Sequence, residues 1–261
     1  MTQSTPVVIV GCGYVGQRLA RQLRAKGRAV TGLVRGDATS AALRALGVVP
    51  VQVDLDAAAE LPALPTAGAE LYYFAPPPAE GDTDPRLRRV LAVLKDGLPQ
   101  RIVYISTSGV YGDCAGAWVD ETHPLHPTTP RAHRRADAEA ALRDWSAATS
   151  VPAVILRVPG IYGPGKLPLE RLRKGLPLLI EADSPYTNRI HVDDLISVCR
   201  AAMQRGQPGA AYNVSDPGMR AFMEESKRLD TRRMRDELGV VLRYPTLELG
   251  LKACLAESGV D

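Results

Sequence analysis

Several classes of protein are excluded by what the chain lacks. Cysteine is scarce: Cys12, Cys114, Cys199 and Cys254 stand far apart, form no Cys-x-x-Cys pair and accompany no histidine cluster at zinc spacing. No disulfide framework and no metal site are expected, and reduced thiols suit a cytoplasmic protein. No uninterrupted apolar run approaches the roughly 20 residues that span a bilayer, because Gly, Pro or a charge breaks every candidate. The opening Met-Thr-Gln-Ser-Thr-Pro has neither the basic segment nor the apolar core of a secretory signal, so export is not expected. Strong charge of one sign is missing as well: 32 Lys and Arg face 29 Asp and Glu, a net of +3 scattered along the chain. Neither nucleic acid nor a membrane is expected as a partner; a small-molecule substrate is. What remains is a chain of 261 residues, 45% hydrophobic and 23% charged, ordinary for a globular protein and long enough for one large α/β domain with an appendage.

Short apolar runs rich in β-branched residues occupy 7–10, 29–34, 49–53, 71–74, 101–106, 153–157 and 211–214, which predicts about seven strands. Their near-continuous hydrophobicity suits parallel strands buried on both faces. Between them lie helical stripes: Val15, Leu19 and Leu23, with Arg18, Arg21 and Arg24 toward water and Gly27 as a stop; Leu87, Val90, Leu91, Leu94 and Leu98 before Pro99; and Val192, Leu195, Ile196, Cys199 and Met203 before Gly206. The alternation predicts a doubly wound parallel sheet with helices on both faces. It falters between Gly160 and Asn188 and again after Asp216, although 230–239 reads as a short helix started by Asp230 or Thr231, with Met234 and Leu238 on one face and Gly239 at its end. The expected organisation is a nucleotide-binding domain over 1–158, rejoined by 189–215, and a small discontinuous C-terminal cap made of 159–188 and 216–261.

Gly11-Cys12-Gly13-Tyr14-Val15-Gly16 follows the first strand and opens the first helix. In that position Gly11 takes a tight turn, Gly13 leaves room for a pyrophosphate and Gly16 lets helix pack closely on strand, the dinucleotide-binding pattern of the Rossmann fold. The phosphates would sit on the helix N-terminus. At the end of the second strand, where an NAD-preferring site places an acid, stands Arg35. A guanidinium cannot accept a hydrogen bond from a ribose hydroxyl but pairs with a 2'-phosphate, so NADP is expected, with NAD the alternative if Asp37 contacts the ribose instead.

Five later segments, in order, extend the pattern: Tyr104-Ile-Ser-Thr107-Ser-Gly-Val-Tyr111-Gly112; Trp118-Val-Asp-Glu121; Leu156-Arg157 through Ile161-Tyr162-Gly163-Pro164; Arg189-Ile-His191-Val-Asp-Asp194; and Tyr212-Asn213-Val214. With these motifs the chain resembles the extended short-chain dehydrogenase/reductases, the epimerase/dehydratase-like group, and among them the atypical members with G-x-G-x-x-G. The resemblance covers residues 7 to about 215. It implies that Thr107 hydrogen-bonds the reacting oxygen, that Asp54 with Leu55 binds the adenine, that Ala75, Pro76 and Pro77 lie along the cofactor, and that Val158, Pro159 and Gly160 lie beside the nicotinamide. A monomer or homodimer fits this family.

One departure concerns the chemistry. The family's catalytic pair is Tyr-x-x-x-Lys, commonly with a Glu four residues after the Lys; anchored on Glu139, the Lys position holds Arg135 and the Tyr position Arg131. Arginine stays charged and cannot exchange the proton that accompanies hydride transfer. Three readings stay open. Arg135 can bind the nicotinamide ribose while His133, Tyr111 or Tyr162 supplies the proton. Arg131 and Arg135 can instead hold an anionic substrate group while Thr107 polarises a carbonyl, with Tyr162 also at the substrate. Or the protein binds NADP(H) without turnover, as a redox sensor or partner-binding module. The main expectation is an NADP(H)-dependent oxidoreductase acting on a small carbonyl or alcohol, with nucleotide-sugar epimerase or dehydratase chemistry as a further alternative.

Overall fold

In the computed structural model, the residues described are 5–57, 61–166, 186–216, 219–220 and 226–258. Their strands, in chain order, are β1 (Val7–Val10), β2 (Val30–Val34), β3 (Val49–Gln52), β4 (Glu70–Tyr73), β5 (Arg101–Thr107), β6 (Trp118–Val119), β7 (Ala153–Val158), β8 (Gly160–Tyr162), β9 (Tyr186–Thr187), β10 (Arg189–His191), β11 (Ala211–Asn213), β12 (Met219–Arg220) and β13 (Arg228–Leu229). The helices are α1 (Tyr14–Ala25), α2 (Asp37–Ala45), α3 (Pro85–Val93), α4 (Pro130–Thr149), α5 (Val192–Arg205), α6 (Arg232–Leu238) and α7 (Leu247–Ser258). Seven strands form one parallel sheet in the order β11-β7-β5-β4-β1-β2-β3, so the seven expected runs all enter it. The chain reverses its direction of winding at β1, whose two neighbours are β2 and β4. That reversal is the switch point at which doubly wound sheets bind ligands.

Burial follows strand position. Every residue of β1 and β7 is buried, as strands covered on both faces require. β3 differs: Val49 is 61% exposed, because β3 is the sheet's edge, and Pro50 there removes a donor that an added strand would need. Leu19 and Leu23 of α1, and Val192, Leu195, Ile196, Cys199 and Met203 of α5, are buried as their spacing predicts. The Leu87 stripe ends early. After Val93 the helix tightens to a 3-10 turn over Leu94–Asp96, which changes the periodicity and leaves Leu98 exposed. α6 matches its reading: Thr231 precedes it, Met234 and Leu238 are buried, and Gly239 ends it in the left-handed conformation at φ 59°.

The chain divides into two compact units. The first comprises Met1–Ser106, Pro130–Ile155 and Ala202–Ala210; the second comprises Thr107–Thr129, Leu156–Ala201 and Ala211–Asp261. Much of the stretch 159–188 lies outside the described residues. No helix among the described residues is long and apolar enough to cross a membrane.

The second unit is packed around β8, β10 and α7. Tyr162 and His191 meet edge to face at 5.3 Å, and His191 packs against Tyr244 at 4.1 Å with the rings tilted by 57°. The His191 Nδ1 accepts the Asp193 amide at 3.2 Å, which leaves the proton of the neutral ring on Nε2, 3.5 Å from the Cys254 sulfur. α7 contributes Gly250 because a Cβ there would overlap the Tyr162 ring. The buried face of α7 is therefore Gly250 and Cys254, while Leu255 is 36% exposed. Asp216 is buried, with Oδ1 accepting the Arg189 amide at 3.3 Å and Oδ2 without a partner of hydrogen-bond geometry among the described residues, the Tyr162 hydroxyl being near enough to influence it. Burial, reinforced by the charge of Asp194 and opposed by the Arg189 amide, pushes its pKa up to about 7.

Between the ordinary carboxylate range and that value the folded protein holds a proton that the unfolded chain releases, so the stability contributed by Asp216 falls as pH rises through the window. Asp216→Asn removes the ionisation. Its thermal midpoint is expected to lie several degrees above that of the unsubstituted protein at pH 8, with the gap closing at pH 4; a gap independent of pH would show that Asp216 is not held neutral by the fold.

Candidate functional site

The glycine turn has the geometry its motif requires. Gly11 adopts φ +82°, and a Cβ there would lie 2.6 Å from the Ala75 Cα, so the turn after β1 closes directly against the loop after β4. Gly13 is exposed, and a Cβ built on it meets nothing within 4 Å, which leaves open space over bare backbone. At Gly16 a Cβ would stand 3.1 Å from both the Gly11 carbonyl and Ile9 Cγ2, the close helix-on-strand contact. The first backbone bond of α1 runs from the Gln17 amide to the Gly13 carbonyl, so the amides before it face the open end of the helix, where its dipole is positive. No acidic side chain stands in that first turn. A pyrophosphate fits this cradle on all three glycines.

Cys12 serves the fold. Its amide and that of Gly11 donate to the Leu33 carbonyl at 2.9 and 3.2 Å, and its thiol is buried against bare Gly32. Burial pushes that thiol up to about 12, so it is inert. Tyr14 and Val15 are half-buried at the helix start, with the Arg18 guanidinium 4.3 Å above the Tyr14 ring. Arg35 is exposed one residue past β2, and its guanidinium has no hydrogen-bond or ion-pair partner among the described residues. Asp37 opens α2 in the first turn, where the helix dipole favours an acid.

The loops after β3 and β4 are tied together by residues that the motif reading did not single out. Arg86 donates through Nε to Asp56 Oδ1 at 2.6 Å and through Nη1 to the Pro76 and Pro77 carbonyls at 2.8 and 3.2 Å. Arg89 holds the Leu55 carbonyl at 2.9 Å. Asp54 is exposed and accepts the Asp56 amide at 3.0 Å, a turn that aims Asp56 at Arg86. Arg86 sits in the first turn of α3 because Asp84 caps that helix, accepting the Leu87 amide at 3.1 Å, and Pro85 fills its first position. The Asp-Pro pair was the available sequence signal.

α4 carries the residues at the family's Tyr and Lys positions. Arg135 is 4% exposed, and its Nη1 donates to the Tyr104 hydroxyl at 2.9 Å and the Ala75 carbonyl at 3.5 Å. It thus holds the loop that abuts Gly11. Glu139 is fully buried, accepting the Ser106 hydroxyl at 2.6 Å and Arg143 at 3.3 Å. Arg131 and His133 are exposed on the first turns.

In the second unit the later motifs converge on one buried network. The Tyr111 hydroxyl donates to Asn213 Oδ1 and accepts from Arg157 Nη1, both at 2.8 Å. Arg157 also reaches the Glu121 carbonyl at 3.2 Å, and Glu121 Oε1 accepts the Asn213 amide at 2.7 Å. Tyr111 has no exposed surface and its hydroxyl is committed as donor and acceptor, so it is placed as a structural tie and not as a proton carrier. Tyr162 is 4% exposed with its hydroxyl against Gly250, which places it in the core and not at a substrate. Thr107 is half-buried at the end of β5; its Oγ accepts the Gly109 amide at 3.2 Å, which leaves the hydroxyl proton to donate. Val158 closes β7 in the core, Pro159 is half-buried, and a Cβ at Gly160 would meet the movable guanidinium end of Arg189.

A doubly wound sheet with this turn at its switch point defines an α/β protein of the Rossmann kind. The chain belongs to the NAD dependent epimerase/dehydratase family, whose model matches residues 7–215. It is 28% identical over 138 residues to human dTDP-D-glucose 4,6-dehydratase, a match covering 50% of this chain and 39% of that protein. Thus the match spans well under half of the dehydratase's own length. Protein YeeZ of Escherichia coli K12 is similar over nearly the whole length, 29% identical across 92% of this chain and 96% of its own. Among solved structures, a conserved protein of unknown function from Silicibacter pomeroyi shares 32% identity with a TM-score of 0.82, covering 97% and 99% of the two chains. A dTDP-glucose 4,6-dehydratase from Streptomyces venezuelae with NAD bound shares the fold at 20% identity and a TM-score of 0.81, covering 97% and 96%.

The Arg86 clamp is expected to matter for ligand binding more than for folding, since its ion pair with Asp56 is solvent-exposed at the acid, 43% for that side chain. Arg86→Gln should weaken binding of the reduced coenzyme about tenfold in a fluorescence titration and speed hydrogen exchange at 54–57 and 76–77. Unchanged affinity together with unchanged exchange would remove Arg86 from the site.

Proposed function

We propose that the protein moves a hydride between a nicotinamide coenzyme and a secondary alcohol or carbonyl carbon of a small molecule. The observation that carries this reading is the glycine cradle, with Gly13 open to a pyrophosphate at the switch point and Gly11 locked to Ala75. NADP(H) is the coenzyme favoured by Arg35, whose exposed guanidinium, without a hydrogen-bond or ion-pair partner among the described residues, suits a 2'-phosphate. NAD bound to the Streptomyces dehydratase supports a pyridine dinucleotide without choosing between the two. When bound, the coenzyme supplies or accepts the hydride at its nicotinamide ring.

The chain's residues do the rest. Thr107 donates its hydroxyl proton to the reacting oxygen while its Oγ stays anchored on the Gly109 amide. Proton exchange falls to His133, an imidazole exposed in the first turns of α4 with no partner among the described residues. Arg135 acts through the Ala75 carbonyl as a positioning residue for the coenzyme loop. Leu55, Pro76 and Pro77, held by Arg89 and Arg86, line the coenzyme in this reading.

The names of the relatives favour a particular form of it, a nucleotide sugar as the molecule oxidised or reduced, since a dehydratase of that class matches half of the chain. A panel of nucleotide sugars, small ketones and alcohols, offered with NADPH, NADP, NADH or NAD, is followed by the absorbance of reduced nicotinamide and by mass analysis of products. Turnover is expected, with NADPH or NADP preferred. Thr107→Ala should lower kcat about 100-fold, the size typical of one lost donor to a developing oxyanion. Tight coenzyme binding without turnover on the whole panel would support the non-catalytic module instead, and full activity in Thr107→Ala would remove Thr107 from the chemistry.

A further inference from the structure

The beginning of α4 carries positive charge that meets no carboxylate at ion-pair distance among the described residues. Its first turn has no acidic residue, the reverse of the order that a helix dipole favours, and Arg131, His133, Arg134 and Arg135 follow Pro130 within it and just beyond. Arg134 and Arg135 are 6% and 4% exposed. Neither meets a carboxylate at ion-pair distance among the described residues. Arg134 spends Nη1 on the Gly81 carbonyl at 2.5 Å, Arg135 spends Nη1 on Tyr104 and Ala75, and both leave a buried Nε without a partner. Arg131 has no partner at all among the described residues. Desolvation first, then the like charges of Arg135 and Arg134, hold its pKa below the usual arginine value.

Two of the neighbouring acids are engaged: Asp137 pairs with Arg88 at 2.5 Å and accepts the Asp84 amide at 2.8 Å, and Glu139 is shared between Ser106 and Arg143. Asp84 caps α3 through Oδ1, has no partner for its buried Oδ2 among the described residues, and is a carboxylate near enough to act on Arg135 electrostatically. A buried guanidinium without a carboxylate partner is costly, as for Arg134 and Arg135, and the exposed Arg131 beside them adds repulsion. An oxyanion relieves both, since guanidinium forks bind carboxylate and phosphate bidentately. The place is relevant to the site: Arg135 touches the Ala75 carbonyl, and the Ala75 backbone abuts Gly11.

We propose that Arg131, Arg134 and Arg135 form an oxyanion subsite at the start of α4, and that the molecule turned over carries a carboxylate or phosphate that is seated there. The assignment to a substrate rests on the hydride-transfer reading above; the subsite itself does not. The coenzyme's own phosphates are the other source of the same chemistry, but α1 and Arg35 already provide for them.

Inorganic phosphate and oxalate, each titrated by calorimetry at constant ionic strength into coenzyme-free protein and into protein saturated with NADPH, are the probes. Both anions are expected to bind saturably in both states. Arg131→Gln should weaken them at least tenfold and Arg131→Lys should restore part of the loss, with NADPH affinity within about twofold of the unsubstituted protein in each variant; Arg131→Lys also controls for a variant that fails to fold. Absence of saturable anion binding, or equal binding by Arg131→Gln, overturns the subsite. Parallel loss of NADPH affinity in Arg131→Gln assigns the arginines to the coenzyme and overturns the substrate assignment. If the unsubstituted protein binds no NADPH, the hydride-transfer reading fails, and the coenzyme-free titration still decides the subsite.

Discussion

The contact between Gly11 and the Ala75 backbone is the constraint on which the dinucleotide site depends. A Cβ at Gly11 would stand 2.6 Å from the Ala75 Cα, so the turn after β1 and the loop after β4 come together only because the first has no side chain. β1 and β4 are paired in register, Val10 opposite Tyr73, which fixes where the two loops emerge. From there the supports radiate: Arg135 takes the Ala75 carbonyl, Arg86 the Pro76 and Pro77 carbonyls, and Asp56 anchors Arg86 from the loop after β3. Most of these supports are charged side chains on backbone carbonyls. They fix the course of the loops while leaving Gly13 and the end of α1 open.

The second unit solves a different problem. Four of the separated motifs, around Tyr111, Glu121, Arg157 and Asn213, meet in one network in which the Tyr111 hydroxyl, the Arg157 guanidinium and the Asn213 amide satisfy one another and nearby carbonyls. A buried polar network that is well satisfied specifies one arrangement of its segments. Tyr111 therefore belongs with the groups that hold Thr107's strand end and the following turn in place.

Much of the architecture was legible because its signals are local. The apolar runs, the helical stripe of α5 and the glycine at the end of α6 each depend on residues a few positions apart, and the G-x-G-x-x-G turn is read from six consecutive residues. Edges and helix ends were harder: Val49 is exposed because β3 has a neighbour on one side only, and Leu98 is exposed because a 3-10 turn interrupts its stripe. The supporting contacts were not legible at all. Arg86 and Asp56 are 30 residues apart, Tyr111 and Asn213 are 102, and no spacing rule pairs such positions. Tyr162 drew a substrate role from its motif, whereas its ring fills the space opposite bare Gly250 far along the chain.

Gly13 allows the dinucleotide cradle to be tested by charge, because a Cβ there meets nothing within 4 Å, while its backbone, at φ −87° and ψ −139°, lies outside the α and β regions. Calorimetric titration of nucleotide-free protein with NADPH and NADH is compared with the same titration of Gly13→Asp, whose carboxylate would occupy the phosphate position and repel it. The account predicts saturable binding by the unsubstituted protein, and binding lost in a Gly13→Asp variant that still unfolds cooperatively on heating. Binding of either coenzyme with equal affinity by both proteins, or by neither, would contradict it.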